Sequence, residues 1–133
     1  MLMWLVKSEP ETYSWANMLE QGTTAWDGVR NFQATAYLRK MQPGDRCFFY
    51  HSGSERQIVG IITVIQAFYP DLADPRFGMV DVKAGETMHT PVTLAAIKAE
   101  AALQHLALVR QSRLSVMPID ADSWQKICAM GKL

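Results

Sequence analysis

Residues 26–31 read Trp26-Asp27-Gly28-Val29-Arg30-Asn31, and this short run holds the most distinctive chemistry of the chain. An indole, a guanidinium and a carboxamide lie within six residues, in a stretch with neither helical nor strand periodicity. An indole can lie flat against a planar ring, and stacking on one aromatic is worth roughly 1–3 kcal/mol per base. Arg30 supplies donors only, whereas Asn31 supplies a donor and an acceptor and can pair with a base edge. A plainer reading stands beside this one: Trp26 packs in the core, Arg30 pairs with an acid and Asn31 caps a helix. The residues alone leave both open.

Other segments could contribute to the same kind of site. Arg110-Gln111-Ser112-Arg113-Leu114-Ser115 precedes a strand-like run and reads as a basic, polar rim suited to phosphate, or as a solvated loop. Lys7-Ser8-Glu9-Pro10 follows the first strand-like run, and Lys7 joins Arg110 as a candidate phosphate contact. Tyr50, beside the polar strand end His51-Ser52, is a better pocket candidate than Phe48 and Phe49, which read as core. Several chemistries lack their motif: there is no Walker-type phosphate loop, no dinucleotide fingerprint and no nucleophile elbow. His51, His89 and His105 lack metal-ligand spacing. Glu9 and Glu11 could form a carboxylate pair, or stand as solvated charges.

Composition narrows the class. Hydrophobic residues make up 49% of 133, enough for a core, and one domain spanning 1–133 is expected. Thirteen basic residues balance thirteen acidic ones. A protein that coats nucleic acid through its phosphates shows a basic excess, so any such binding here must rest on a local patch and a specific base contact. Cys47 and Cys128 sit in apolar stretches and read as reduced thiols. The apolar run Leu2–Val6 is too short for a signal segment or a membrane helix. The expectation is a monomer with no membrane partner and no cofactor, cytoplasmic or, in a eukaryote, nuclear.

The elements that must position these residues follow from pattern. Leu2 to Val6 reads as a buried strand stopped by Pro10. Thr12 or Ser14 caps a helix with Trp15, Met18 and Leu19 inside and Gly22 at its end. Asn31 caps a second helix with Ala34, Tyr37, Leu38 and Met41 inside. Arg46–His51 and Ile58–Phe68 read as strands, with Gly60 marking a bulge or close backbone approach. Tyr69 to Arg76 reads as a surface loop and Met79–Lys83 as a strand. Thr93 introduces a helix through Leu94, Ile97 and Ala101, with a second piece near Leu106. Arg113–Ile119 reads as the last strand, and Asp120 or Asp122 caps a final helix with Trp124, Ile127 and Cys128 inside. Strands and helices do not alternate strictly, so an α+β fold is expected, a mixed barrel of five to six strands flanked by helices.

Taken together, several segments resemble the EVE domain family. They are Trp4-Leu5-Val6-Lys7-Ser8-Glu9-Pro10, Trp26-Asp27-Gly28-Val29-Arg30-Asn31, Gly44-Asp45 followed by Phe49-Tyr50-His51-Ser52, Val59-Gly60-Ile61, Tyr69-Pro70-Asp71 and Arg113-Leu114-Ser115-Val116. The resemblance runs from about residue 2 to about residue 130. It implies a PUA-like barrel, related to the YTH and ASCH domains, and binding of DNA or RNA that carries a modified base. By motif, Trp26, Arg30 and Asn31 would lie in or beside the base pocket. Ser8, His51, Ser52, Ser112 and Arg113 would line it or its rim. The expected function is a non-catalytic reader. Two alternatives remain: an ASCH-like amidohydrolase on a modified nucleoside, with Lys7 and Glu9 as base and acid, and a protein-interaction module with an empty pocket.

Overall fold

A computed structural model describes residues 1–133. Strand β1 (Met3–Ser8) buries three consecutive residues, Trp4, Leu5 and Val6. Consecutive burial means that both faces of the strand are covered. Its neighbours are β3 (Arg46–His51), which runs parallel to it, and β6 (Val116–Pro118), which runs antiparallel. Strands β2 (Thr23–Trp26), β4 (Gln57–Pro70) and β5 (Gly78–Thr93) add antiparallel pairs. The order is β2-β5-β4-β3-β1-β6, a mixed α+β fold built on a six-stranded mixed sheet. β2 and β6, of four and three residues, stand at its two ends. Their closure into a barrel is not among the pairings.

The long β4–β5 ribbon shifts register at four places, beginning on either side of Gly60. Such irregularities bend a strand and tighten its twist. At Gly60 the cause is visible: the Trp15 ring lies so close that a Cβ would meet its carbons at 2.3 Å. Trp15 opens α1 (Trp15–Gln21), whose cap is reciprocal: the Ser14 hydroxyl accepts from the Asn17 N–H, and the Asn17 side chain accepts from the Ser14 N–H. Asn31 caps α2 (Phe32–Lys40) by accepting from the Ala34 N–H at 2.9 Å. Three further helices, α3 (Leu94–Lys98), α4 (Ala107–Arg110) and α5 (Ala121–Met130), cover the sheet, and in α5 Trp124 stacks on Phe48 at 3.8 Å. Asp45, buried, accepts from the Trp4 indole N–H, the Leu2 N–H and the Gln42 N–H at 3.0 Å each.

Several expectations change. Thr23–Trp26 forms an edge strand where the sequence reads as irregular. β5 continues through Ala84–Thr93, a polar stretch without alternation, and Tyr69 and Pro70 belong to β4. The last strand is only Val116–Pro118. Leu19 is 47% exposed, because the short α1 buries only Trp15 and Met18. α3 stops at Lys98, and Ala101 starts a separate 3-10 turn. Cys47 is buried and Cys128 half-buried, and both are free thiols.

Candidate nucleic-acid interface

Edge strand β2 carries the chain to Trp26, and the turn at Asp27-Gly28 redirects it toward α2. Gly28 has φ 75°, a backbone conformation that side chains disfavour. The turn leaves Trp26, Asp27 and Arg30 around one cavity of about 650 Å³, within the range of small-molecule and cofactor sites. The end of β1 contributes Lys7, Ser8 and Glu9 to its wall. The segment before α1 contributes Thr12 and Tyr13, β2 contributes Thr24 and Ala25, and Ser115 closes the side next to β6.

Trp26 is 7% exposed, so it is largely buried, as a packing role requires, and yet it forms cavity wall. Its aromatic neighbours meet it edge-on: Phe49 at 5.4 Å and 83°, Tyr13 at 6.3 Å and 82°. No aromatic ring lies flat against it. The polar lining is mixed, with Lys7 and Arg30 against Glu9 and Asp27. The Lys7 Nζ donates to the Ser112 carbonyl at 3.0 Å, and burial lowers its pKa from the ordinary lysine value. The Ser8 hydroxyl donates to the Tyr13 carbonyl at 2.6 Å. Arg30 Nη2 pairs with Asp71 at 3.0 Å while its guanidinium lies 5.2 Å from the Phe77 ring centre. That pair is half-exposed on the arginine side and is worth little in water. Asp27 makes no side-chain hydrogen bond or ion pair within the chain.

The remaining candidates divide. Asn31, Arg110, Ser112 and Arg113 line a neighbouring polar groove of about 320 Å³ rather than the Trp26 cavity. The Asn31 oxygen is occupied by its capping bond, which leaves its amide N–H groups for a ligand. Tyr50, His51 and Ser52 are not in the cavity wall. β3 lies inside the sheet between β1 and β4, so its end is covered: Tyr50 is 2% exposed and His51 is buried. His51 instead anchors α1, its Nε2 accepting the Trp15 N–H at 2.9 Å and its Nδ1 facing Glu55 at 2.9 Å. That bond fixes the proton on Nδ1, and its donation to Glu55 lowers the carboxyl pKa. The Ser52 N–H donates to the Ser8 carbonyl, tying β3 to the exit of β1. Sequence reasoning missed Thr12, Tyr13 and Thr24 as wall residues, read Ser115 only as the end of the Arg110–Ser115 rim, and took Asp27 only as a turn residue.

A mixed sheet with an aromatic-walled, polar-rimmed cavity at the end of its first strand defines a class of small α+β domain. The family model for the EVE domain matches residues 2–130, and the chain belongs to that family. Human thymocyte nuclear protein 1 is 30% identical, over 96% of this chain and 72% of the relative. A solution structure of a protein from Rhodopseudomonas palustris is 46% identical, with a TM-score of 0.95 over 99% of this chain and 94% of that one. The crystal structure of the human THYN1 protein in complex with 5-methylcytosine-containing DNA is 28% identical, with a TM-score of 0.93 over 100% and 99%. An ASCH protein from Zymomonas mobilis, at 11% identity and a TM-score of 0.56, shares the fold alone; it covers 96% of this chain and 94% of that one.

Proposed function

We propose that this chain is a non-catalytic reader of DNA that holds one modified base, with 5-methylcytosine as the leading mark, in the Trp26 cavity. The observation that carries the reading is the Trp26 indole in the cavity wall with no ring stacked on its face. The solved complex of a relative with 5-methylcytosine-containing DNA supports the ligand class. On this reading the bent sheet is of the PUA-like barrel type. A base against Trp26 gains roughly 1–3 kcal/mol of stacking. Asp27 accepts from an exocyclic amino group, as carboxylates do from cytosine, and Lys7 and Arg30 face the adjoining phosphates. A methyl group adds roughly 0.8 kcal/mol of burial, so contact with the mark alone gives only several-fold discrimination.

Two arrangements support the absence of catalysis. Lys7 and Ser8, two of the nucleophilic groups in the cavity, both donate to backbone carbonyls. Ser123, His105 and Asp120 do meet elsewhere, but Ser123 and Asp120 contact the same ring nitrogen, Nε2. A relay needs the carboxylate on the other nitrogen.

Titration with duplexes carrying 5-methylcytosine or plain cytosine tests the reading. Ser115→Trp fills the cavity while leaving Trp26 in its packing, and it should abolish preference for the marked duplex. Full affinity and preference in a folded Ser115→Trp protein would overturn the assignment.

A further inference from the structure

Phe32 opens α2 and leaves 64% of its surface in water. The ring is nonetheless held in place: it stacks on the buried Phe77, with centroids 5.0 Å apart and planes at 26°. Phe77 also carries two guanidinium groups, Arg30 at 5.2 Å and Arg76 at 5.5 Å. Arg30 belongs to the wall of the Trp26 cavity. The sequence neighbours of Phe32, Asn31 and Gln33, line the adjoining groove together with Arg110 and Arg113. Phe32 lines neither hollow itself, but its chain neighbours face the groove, and through Phe77 it adjoins Arg30 of the cavity wall.

The chain as a whole carries no net charge, so two arginines on Phe77, each in an exposed ion pair, and two more in the adjoining groove are a local feature. Phosphates complement the guanidinium groups, and stacked bases complement a flat ring between them. A duplex supplies both at once. Turning a base out of a duplex leaves a gap in the stack, and DNA-bending proteins show that apolar side chains can insert between base steps.

We propose that Phe32 is a wedge that enters the base stack of duplex DNA and occupies the space left when the marked base turns into the Trp26 cavity. This rests on the reading of that cavity as a base pocket. Stacking on Phe77 parks the ring beside the gap, Phe32 exchanges that contact for the bases as it enters, and the flanking arginines hold the phosphates on either side.

Polarisation titrations with two probes carrying the same 5-methylcytosine, one double-stranded and one single-stranded, test the wedge. Phe32→Ala should weaken binding of the duplex about tenfold and leave single-strand binding within about twofold, because a single strand has no stack to refill. Phe32→Trp should restore duplex binding. Equal losses on both probes, no loss on either, or no rescue by tryptophan would overturn the wedge. A wild-type protein that binds neither marked probe better than its unmarked counterpart would instead overturn the base-pocket reading beneath it.

Discussion

At the scale of single residues, the account depends on polar groups whose partners are fixed by the fold. Asp45 is the clearest structural case. It is buried and satisfies the Trp4 indole N–H together with the Leu2 and Gln42 backbone donors. Asp45→Ala leaves the indole donor unpaired in the core, and a buried unsatisfied group costs about 1–3 kcal/mol. We expect urea denaturation to show a loss of roughly that size or slightly more, since the Leu2 and Gln42 bonds are lost with it. At the functional site, Asp27→Asn keeps the size of the side chain and replaces one acceptor oxygen with a donor. It should weaken binding of a cytosine-type base by roughly 1–3 kcal/mol, with no change in thermal unfolding. Unaltered affinity in that variant would remove Asp27 from the base edge. Trp26 and Arg30, which line one cavity, are legible in sequence because an indole and a guanidinium stand close together in a run without clear periodicity, whereas Asn31 lines the neighbouring groove. Tyr13 and Thr12 are not legible, because they reach the cavity from the segment before α1 and have no distinctive neighbours. Tyr50, His51 and Ser52 look like a site from sequence because they end a strand. The end of that strand is covered by the start of α1, so it supports α1 and β1 instead.

At the scale of elements, the close approach of α1 to β4 makes a sharp prediction. Gly60→Ala forces a Cβ into the Trp15 ring, and overpacking of this kind costs about 1–3 kcal/mol. The cost should shrink when Trp15 is replaced by leucine, since the two positions are coupled through direct contact. A Gly60→Ala penalty that is the same in both backgrounds would show that the strain lies elsewhere. The cap of α5 gives a pH dependence. The hydrogen bond from His105, followed by those from Ser123, holds the Asp120 carboxyl down to about 2, from an ordinary value of 3.8. A depressed folded-state pKa stabilises the fold at pH above the ordinary carboxylate value, and that stabilisation is lost as pH falls through the folded value. Wild type should therefore exceed Asp120→Asn in stability near neutral pH, with the gap closing between about pH 4 and pH 2. Both partners are about half exposed, so water screens the interaction and the gap should be small. Capped helices and the buried runs of β1 and β3 were readable from pattern. β2 was not, since it is a four-residue edge strand with one buried side chain. The second half of β5 was hidden too, because its exposed face and twisted register erase the alternation.

At the scale of the molecule, thirteen cationic and thirteen anionic side chains leave no long-range field to draw in DNA. On the proposed reading, affinity comes from a few phosphate contacts at Arg30, Arg76 and the Arg110–Arg113 groove, with specificity from the cavity. Each phosphate contact contributes about −1 to the slope of log K against log salt, so Arg110→Gln with Arg113→Gln should make that slope shallower by about 2. The loss should be equal for marked and unmarked duplexes, because phosphates carry no base identity. An unchanged slope would place the phosphates elsewhere on the surface.

The most direct test is a crystal structure of the chain with a short duplex containing one 5-methylcytosine. The account predicts that base turned out of the helix, its ring flat against the Trp26 indole and its amino group facing Asp27. A complex in which the 5-methylcytosine stays paired and stacked, with the Trp26 cavity empty, would contradict it.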